Sequence, residues 1–294
     1  MKRKWLAIGI ILLFIGTSII PAIAKPLPIP SNTVSHPRNL FGLQSHINVS
    51  WNENDTSEPI IPLTETRVIP LNITYWLTQG IFGRFLLRFM NGRAVSVDLK
   101  ICEKPSWCTA MLEQNYMTFI SSDVPQTKEN MLYVHLNKTA PRWPPFQILI
   151  EASVHSLKGP LGIMTLVQHI SYSHALKLQV GFYLDIVVNP DSDIINATPG
   201  NTSILAINIT NLGNARTVVH ADIVDSPTDG WNIVITEQIM LDINMTNIAY
   251  LVVRPPSNFS GTETITITFT PYAADDQTHH GEPVPITIVV ICEP

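Results

Sequence analysis

The sequence predicts an all-β protein with two tandem immunoglobulin-like β-sandwich domains behind an N-terminal signal or anchor helix. Apolar and polar residues alternate in short runs, as expected of strands that bury one face. Gly, Asn and Pro separate these runs at regular spacing, which is typical of sandwich turns. Only 14% of residues are charged, below the usual share of about 25%. Asn, Thr, Ser and Pro take their place, and this composition does not suit a helical protein.

The first 24 residues predict an export signal. Lys and Arg fill positions 2–4, an apolar run follows, and Ala-Ile-Ala at 22–24 forms a small-x-small cleavage site. An uncleaved anchor is the alternative, because residues 5–24 are long enough to span a bilayer. Cleavage is favoured because the site is well placed. Both readings predict an extracellular or cell-surface protein, with membrane contact only through this segment.

A spacer and two domains are predicted to follow. Residues 25–40 contain four prolines among polar residues and indicate an extended spacer. The first β-sandwich domain is predicted over 41–181 and the second over 182–294. Their strands are expected at 46–51, 66–75, 94–102, 116–120, 131–136, 146–154, 163–172, 184–189, 203–210, 217–225, 232–236, 247–253, 262–270 and 284–291. Residues 81–90 are compatible with one short helix or with a hydrophobic loop.

Three features of the second domain indicate particular backbone roles. Residues 211–214 (Asn-Leu-Gly-Asn) predict a turn in which Gly213 supplies a positive φ. Trp231 opens a strand and is expected to pack over the core. Pro255 and Pro256 end a strand, because proline cannot donate a ladder hydrogen bond.

The second domain resembles the CARDB-type immunoglobulin-like domains of prokaryotic surface and secreted proteins. The resemblance covers about 189–290 and is carried by residues 208–214 (Asn-Ile-Thr-Asn-Leu-Gly-Asn), Gly230-Trp231, 253–256 (Val-Arg-Pro-Pro) and Gly261. The first domain is similar to the β-rich domain that precedes such modules in archaeal exported proteins. These resemblances imply an archaeal envelope protein with no shared catalytic residues.

The three cysteines include one pair with close spacing. Cys102 and Cys108 are separated by five residues, which fits a local disulfide in an exported protein. Two unrelated buried thiols are the alternative. Cys292 is left to be free or to pair between chains.

Nine Asn-x-Ser/Thr motifs predict N-glycosylation in a host with an exterior glycosylation system. Most are expected in loops or at strand ends, and an Asn-rich β-surface without glycan is the alternative. The acceptors are Asn48, Asn54, Asn72, Asn137, Asn196, Asn201, Asn208, Asn244 and Asn258.

Candidate metal ligands occur in the last hairpin loop, but a solvated polar loop is the favoured interpretation. The ligand types are present at Asp275, Asp276, His279, His280 and Glu282. The helical His-Glu-x-x-His arrangement is absent from the sequence. Four further histidines lie on or beside predicted strands, where a satisfied or exposed histidine is expected: His135, His155, His169 and His174.

Four aromatic residues of the first domain form a candidate ligand platform. Trp107, Tyr133, Trp143 and Phe146 lie in or beside predicted loops. Exposed together, they could stack on a sugar or a peptide. Buried apart, they are core and loop anchors, which is the favoured interpretation.

These observations predict a non-catalytic protein with a structural or adhesive role at the cell surface. The sequence contains no Gly-x-Ser-x-Gly elbow, and a net charge of −5 argues against a nucleic-acid partner. No cofactor, catalytic residue or metal site is predicted, and envelope or surface proteins are the expected partners, with glycans as an addition. The alternatives are a carbohydrate-binding module that uses the first-domain aromatics and a secreted metal-dependent enzyme.

Overall fold

The computed structural model describes residues 43–79, 83–90, 92–158, 165–167 and 169–293. The predicted signal (1–24) and spacer (25–40) lie outside these residues. The described residues belong to one compact unit. Within the described ranges, no helix has both the length and the apolar character needed to cross a membrane.

The protein is all-β, with four sheets arranged as two β-sandwich bodies. The first body contains β1 (Leu43–Trp51), α1 (Asn54–Ser57), β2 (Thr66–Gln79), α2 (Gly83–Met90), β3 (Ala94–Glu103), β4 (Cys108–Leu112), β5 (Tyr116–Ile120), β6 (Gln126–Leu136), β7 (Phe146–Val154), β8 (Leu157–Lys158), β9 (Thr165–Val167) and β10 (Ile170–Leu178). The second body contains β11 (Ile186–Pro190), β12 (Ile194–Ala197), β13 (Ser203–Asn211), β14 (Thr217–Asp225), β15 (Asn232–Ile235), β16 (Gln238–Leu241), β17 (Thr246–Arg254), β18 (Gly261–Ala273) and β19 (Val284–Cys292).

Each body pairs two sheets. Sheet 1 has the order β4-β6-β2-β1-β9-β8, and sheet 2 has the order β10-β7-β3-β5. Sheet 3 has the order β11-β13-β17-β15, and sheet 4 has the order β12-β19-β18-β14-β16. Most neighbours are antiparallel, but β1 with β9 and β12 with β19 are parallel. The bodies have separate hydrophobic cores, one drawn from β1–β10 and the other from β11–β19.

The period-2 pattern produces these cores. Along β3, Val95, Val97 and Leu99 are buried and the residues between them face outward. The first core also buries Tyr75, whose hydroxyl lies 3.0 Å from Ser45 Oγ. That hydrogen bond satisfies the one polar atom of an otherwise apolar anchor. Phe269 is the largest fully buried side chain of the second core.

Pro70 lies inside β2, a strand with neighbours on both sides. It is tolerated because the β1 ladder ends where Trp51 pairs with Leu71, so only β6 continues beside Pro70. Pro70 is therefore at a local sheet edge, where a missing N–H group costs little. Val68 shares the outward face, as its phase in the sequence indicates.

The structure corrects several local predictions. Residues 83–90 form the helix that the sequence left open. The strand predicted at 163–172 is two strands, β9 and β10, and the short strands β4, β8, β12 and β16 were not predicted. Gly213 does not have a positive φ. A Cβ at this position would lie 2.4 Å from Tyr183 O, so close packing requires the glycine. Trp231 packs against the core as predicted, with its ring 5.0 Å from that of Phe259.

Candidate functional site

The outer face of sheet 3 exposes large apolar side chains. In β17, Leu251 and Val253 point inward and are buried, while Ile248 and Tyr250 point outward. The Tyr250 side chain is 50% exposed. Because alternate residues of a strand face opposite sides of the sheet, both faces of β17 are apolar.

The strand register collects further apolar residues around Tyr250. Val252 of β17 lies between Ile204 of β13 and Val234 of β15, so the three side chains form one row across the sheet. Ile204 is 66% exposed. We call this set the apolar face of sheet 3: Ile204, Val234, Ile248, Tyr250 and Val252.

This face has almost no charge. The four strands of sheet 3 contain a single charged residue, Arg254, and its Nε donates to Gly200 O at 2.8 Å. At the other end of the face, Asn208 donates from Nδ2 to Asp191 Oδ1 at 2.9 Å. Contiguous apolar surface of this kind is typical of protein interaction sites.

The outer face of sheet 4 has a different composition. The inward positions of β18 are Ile265, Ile267 and Phe269, all fully buried. The outward positions between and beside them are threonines, and Thr266 faces Thr287 of β19 with their hydroxyl oxygens 3.5 Å apart. The threonines of this outer face are Thr264, Thr266, Thr268, Thr270 and Thr287.

A buried asparagine joins the two bodies. Asn214 Nδ2 donates to Ala140 O at 3.1 Å and to Gly181 O at 3.0 Å, and its Oδ1 accepts from Tyr183 N at 2.8 Å. All these groups are hydrogen-bonded in the interior, where an unpaired amide would be costly. Asn214 therefore fixes the first body, the connecting segment and the second body to one another.

Arg142 reinforces this joint. Its guanidinium carbon lies 4.2 Å from the Trp143 ring centroid and 4.4 Å from that of Phe182. The Phe182 ring in turn lies 4.8 Å from the ring of His279. Burial lowers the pKa of Arg142. Arg142 therefore connects the first body to Phe182 at the joint, while the Trp143 side chain beside it stays 56% exposed.

The predicted disulfide between Cys102 and Cys108 is absent, and this prediction is wrong. All three cysteines are free thiols. Cys102 lies at an outward position of β3 in sheet 2, whereas Cys108 is buried in β4 of sheet 1. A disulfide requires side chains that point toward each other, and these two lie on different sheets with opposite exposure. Cys292 is buried in the second core.

The Cys102 thiol forms a hydrogen bond that keeps it protonated. Its Sγ donates to Glu151 Oε2 at 2.9 Å, and Ser171 Oγ donates to the same carboxylate. The bond to Glu151 raises the pKa of Cys102, and the bond from Cys102 lowers the pKa of Glu151. A thiol must ionise to act as a nucleophile, so this geometry deactivates Cys102.

The four candidate platform aromatics do not lie together on one surface. Trp107 and Phe146 pack edge to face with their centroids 4.9 Å apart, and both contact the first core. Tyr133 lies on the outer face of sheet 1, where its register neighbours are Val68 and Met111. Trp143 belongs to the joint described above.

The polar loop of the second body brings together one histidine and one carboxylate. His279 Nδ1 lies 3.2 Å from Asp276 Oδ2, and Asp276 Oδ1 accepts from the backbone and hydroxyl of Thr278. These bonds lower the pKa of Asp276, with the Thr278 hydroxyl as the main cause. Across the described ranges, no group of three or more His, Cys, Asp or Glu side chains has the arrangement of a metal site.

The nine sequon asparagines occupy different settings. Asn208 is half-buried, and the other eight are exposed. Asn48, Asn72, Asn196 and Asn208 lie within strands, and Asn54 lies in α1. The remaining four lie in connections between strands: Asn137, Asn201, Asn244 and Asn258.

Two grooves in the described part of the surface contain few reactive groups. One, of about 520 Å³, lies between β3 and β4, and Lys100 is the only titratable residue among those that line it. The other, of about 400 Å³, lies between β14 and β15 and includes Asp222, Glu237 and His220. Neither groove includes a residue that the sequence singled out as a site.

Sequence reasoning did not identify the apolar face of sheet 3. Residues 247–253 were predicted as a strand, but their nearly continuous apolar character does not show which positions face solvent. The absence of Lys, Asp and Glu from all four strands of the sheet was a usable signal. The role of Asn214 was also missed, since its partner Ala140 lies 74 positions away.

Comparisons with known proteins find distant similarity of fold. No protein-family model and no curated protein matches the chain. Among solved structures, PapD-like domain 7 of human CEP192 is similar, at 10% identity and a TM-score of 0.29 over 36% of this chain and 84% of that chain. CfaE, the adhesive subunit of CFA/I fimbria of enterotoxigenic Escherichia coli, is similar at 10% identity and a TM-score of 0.27 over 87% of this chain and 88% of that chain. A Porphyromonas gingivalis W83 protein of unknown function is similar at 11% identity and a TM-score of 0.28, over 84% of this chain and 99% of that chain. The similarity concerns the β-sandwich fold and nothing more specific.

Proposed function

We propose that the protein is a non-catalytic, exported cell-surface protein that contacts another envelope protein through the apolar face of sheet 3. The observation that carries this proposal is the composition of that face. Ile204, Val234 and Tyr250 project outward from strands whose inner face already supplies the core. Burial of such side chains against a partner stabilises a complex by about 25 cal/mol per Å² of apolar surface.

The strands do not need these apolar residues in order to form. Threonine has a high strand propensity and a small exposed apolar area, and β18 of sheet 4 uses it at its outward positions from Thr264 to Thr270. Exposed Ile and Tyr on sheet 3 lower solubility without adding to the core. A partner that covers Ile204, Val234 and Tyr250 would explain why these positions carry large apolar side chains in place of threonine.

We further propose that the second body is a CARDB-type module. Gly230 has a φ of 74°, and a Cβ atom placed on this residue would lie 3.3 Å from Pro256 Cγ. The adjacent Trp231 packs on Phe259 and the core. Gly230, Trp231 and Pro256, three of the residues that carry the resemblance, thus lie in one local structure.

Co-sedimentation with isolated cell envelopes tests the interaction. The purified protein is mixed with envelopes of the cells that export it, and the bound fraction is measured against protein concentration. Replacing Ile204, Val234 and Tyr250 together by Thr is expected to weaken binding at least about tenfold, because three partly exposed apolar groups are lost. Stability is expected to remain within about 1 kcal/mol.

A matched triple variant provides the control. Val68, Met111 and Tyr133 form a comparable exposed apolar row on the outer face of sheet 1. Their replacement by Thr is expected to leave envelope binding unchanged. Equal losses in both triple variants would indicate general hydrophobic adsorption, and an unchanged sheet 3 triple variant would overturn the proposal.

A further inference from the structure

The structure distinguishes the nine sequons by the hydrogen bonds of their hydroxyl groups. In a glycosylation sequon, the hydroxyl two residues after the asparagine takes part in acceptor recognition. A hydroxyl already bonded elsewhere must first break that bond. The folded protein therefore ranks sequons that the sequence alone cannot separate.

In five sequons the hydroxyl is bonded to another group. Thr210 and Thr246, which belong to the Asn208 and Asn244 sequons, bond to each other with oxygens 2.8 Å apart. In the Asn54 sequon, Thr56 donates to Glu53 O at 2.9 Å. In the Asn72 sequon, the Thr74 hydroxyl lies 2.8 Å from that of Thr127. In the Asn48 sequon, the Ser50 hydroxyl donates to Asn72 O at 3.5 Å.

In the Asn137 sequon, the hydroxyl is bonded to the acceptor asparagine itself. Thr139 Oγ1 donates to Asn137 Oδ1 at 2.6 Å, and Thr139 N donates to the same oxygen at 3.0 Å. Because a backbone N–H can only donate, this bond identifies Oδ1 and directs Nδ2 away from the turn. Among the described residues, Nδ2 of Asn137 makes no hydrogen bond, and the side chain is exposed.

The backbone holds this arrangement in place. Asn137 N donates to Trp107 O at 3.0 Å, and Ala140 N donates to Asn137 O at 3.1 Å, which closes the turn. Trp107 is itself packed on Phe146 and the first core. The turn therefore presents the asparagine in one orientation and spares an enzyme part of the entropy cost of ordering it.

We propose that Asn137 is an N-glycosylation site and that the folded chain is modified there in preference to Asn208. The donor is an oligosaccharide linked to a lipid through a diphosphate. Nδ2 forms a bond to C1 of the first sugar, the bond from C1 to the phosphate oxygen breaks, and the lipid diphosphate leaves with the electron pair. One Nδ2 proton passes to a base of the transferase. The two donors to Oδ1 stabilise negative charge that develops on this oxygen as the proton leaves.

Asn208 is the contrasting site, because it lies beside the apolar face of sheet 3. Its Nδ2 already donates to Asp191 Oδ1, it is half-buried, and its sequon hydroxyl is bonded to Thr246. It is therefore expected to remain without glycan in the folded protein, which leaves the face open. The Asn137 inference does not depend on the proposed interaction, and each can fail without the other.

Glycosylation of the folded full chain in vitro tests the proposal. The protein is incubated with an oligosaccharyltransferase that requires only Asn-x-Ser/Thr and with a lipid-diphosphate-linked oligosaccharide, and glycopeptides are quantified by mass spectrometry. The initial rate at Asn137 is expected to exceed that at Asn208 at least about tenfold. Thr139→Ala is expected to abolish modification of Asn137, and Thr139→Ser to retain it. Asn201→Gln is the matched control in another exposed turn and leaves the Asn137 rate unchanged.

The unfolded chain separates fold from local sequence. In urea-denatured and alkylated protein, the rate advantage of Asn137 is expected to disappear, because all nine sequons are then equally accessible. An advantage that persists after unfolding would overturn the role of the turn. Modification of folded protein at Asn208 but not at Asn137 would overturn the proposal as a whole.

Discussion

Sheets 3 and 4 of the second body have similar inner faces and dissimilar outer faces. Both contribute Ile, Leu and Val to one core, to which sheet 4 adds Phe269. Outward positions of sheet 3 carry Ile204, Val234 and Tyr250, whereas those of β18 in sheet 4 carry threonines. The two sheets satisfy the same requirement for strand formation with different surfaces. The inner residues are therefore explained by the requirement to form a core. The difference between the outer residues is not explained by folding.

The largest expected effect tests the inner and outer faces of a single strand. Leu251→Ala removes a fully buried side chain of β17 and is expected to lower the free energy of unfolding by about 3 kcal/mol. Tyr250→Ala, one residue away on the outer face, is expected to lower it by less than about 1 kcal/mol. Urea denaturation followed by tryptophan fluorescence measures both values. Equal losses would show that the outer face also supports the fold.

A smaller effect concerns a polar group on an inner face. His174 of β10 points inward, and its buried Nε2 has no hydrogen-bond partner among the described residues. This corrects the sequence-based expectation of a satisfied or exposed histidine. Burial lowers the pKa of His174 below its ordinary value near 6.5. The neutral ring is therefore the form that fits the fold.

The pH dependence of stability follows from this shift. His174 binds a proton near pH 6.5 in the unfolded chain and only at lower pH in the folded chain. Its contribution to the free energy of unfolding is therefore complete above pH 6.5 and is lost as the pH falls below that value. His174→Leu is expected to reduce the stability difference between pH 7.5 and pH 5, measured by urea midpoints. Outward-facing Ser173→Ala serves as the control with an unchanged difference. An unchanged slope in His174→Leu would contradict the assignment.

The smallest expected effect tests the outer face of sheet 4. Thr266→Ile places an apolar side chain at an exposed position and is expected to change stability by no more than about 0.5 kcal/mol. Envelope binding is expected to stay at the level of the unchanged protein, because one apolar residue does not reproduce the row on sheet 3. A gain in binding would show that any exposed apolar group on this body suffices.

The two-sandwich fold could be predicted because alternation is local. The alternation of Val95, Val97 and Leu99 indicates a buried face within a single short segment, and all three side chains are buried in the folded protein. The cysteine pairing failed although its signal was present, since Cys102 continues the outward phase of Asp98 and Lys100. Spacing measures the length of a loop, whereas strand phase decides which way a side chain points.

The joint and the candidate site depended on information that a linear pattern lacks. Asn214 reads as a turn residue, and only the folded chain places it beside Ala140 and Gly181. Residues 248–252 are apolar at every position except the tyrosine hydroxyl, so a period of two does not assign their faces. The pairing of β17 with β13 and β15 determines which of these side chains face solvent, and this pairing joins residues far apart in the sequence.

The parallel pairing of β12 with β19 has a mechanical consequence. Ile194–Ala197, the second strand of this body, run beside Val289–Cys292 in its last strand. Force applied in opposite directions at the start of β12 and at the end of β19 acts along both strands. It therefore loads all the backbone hydrogen bonds between them at the same time. An antiparallel pair pulled from one end would instead open one rung at a time. This pair of strands is therefore expected to resist stretching by shear.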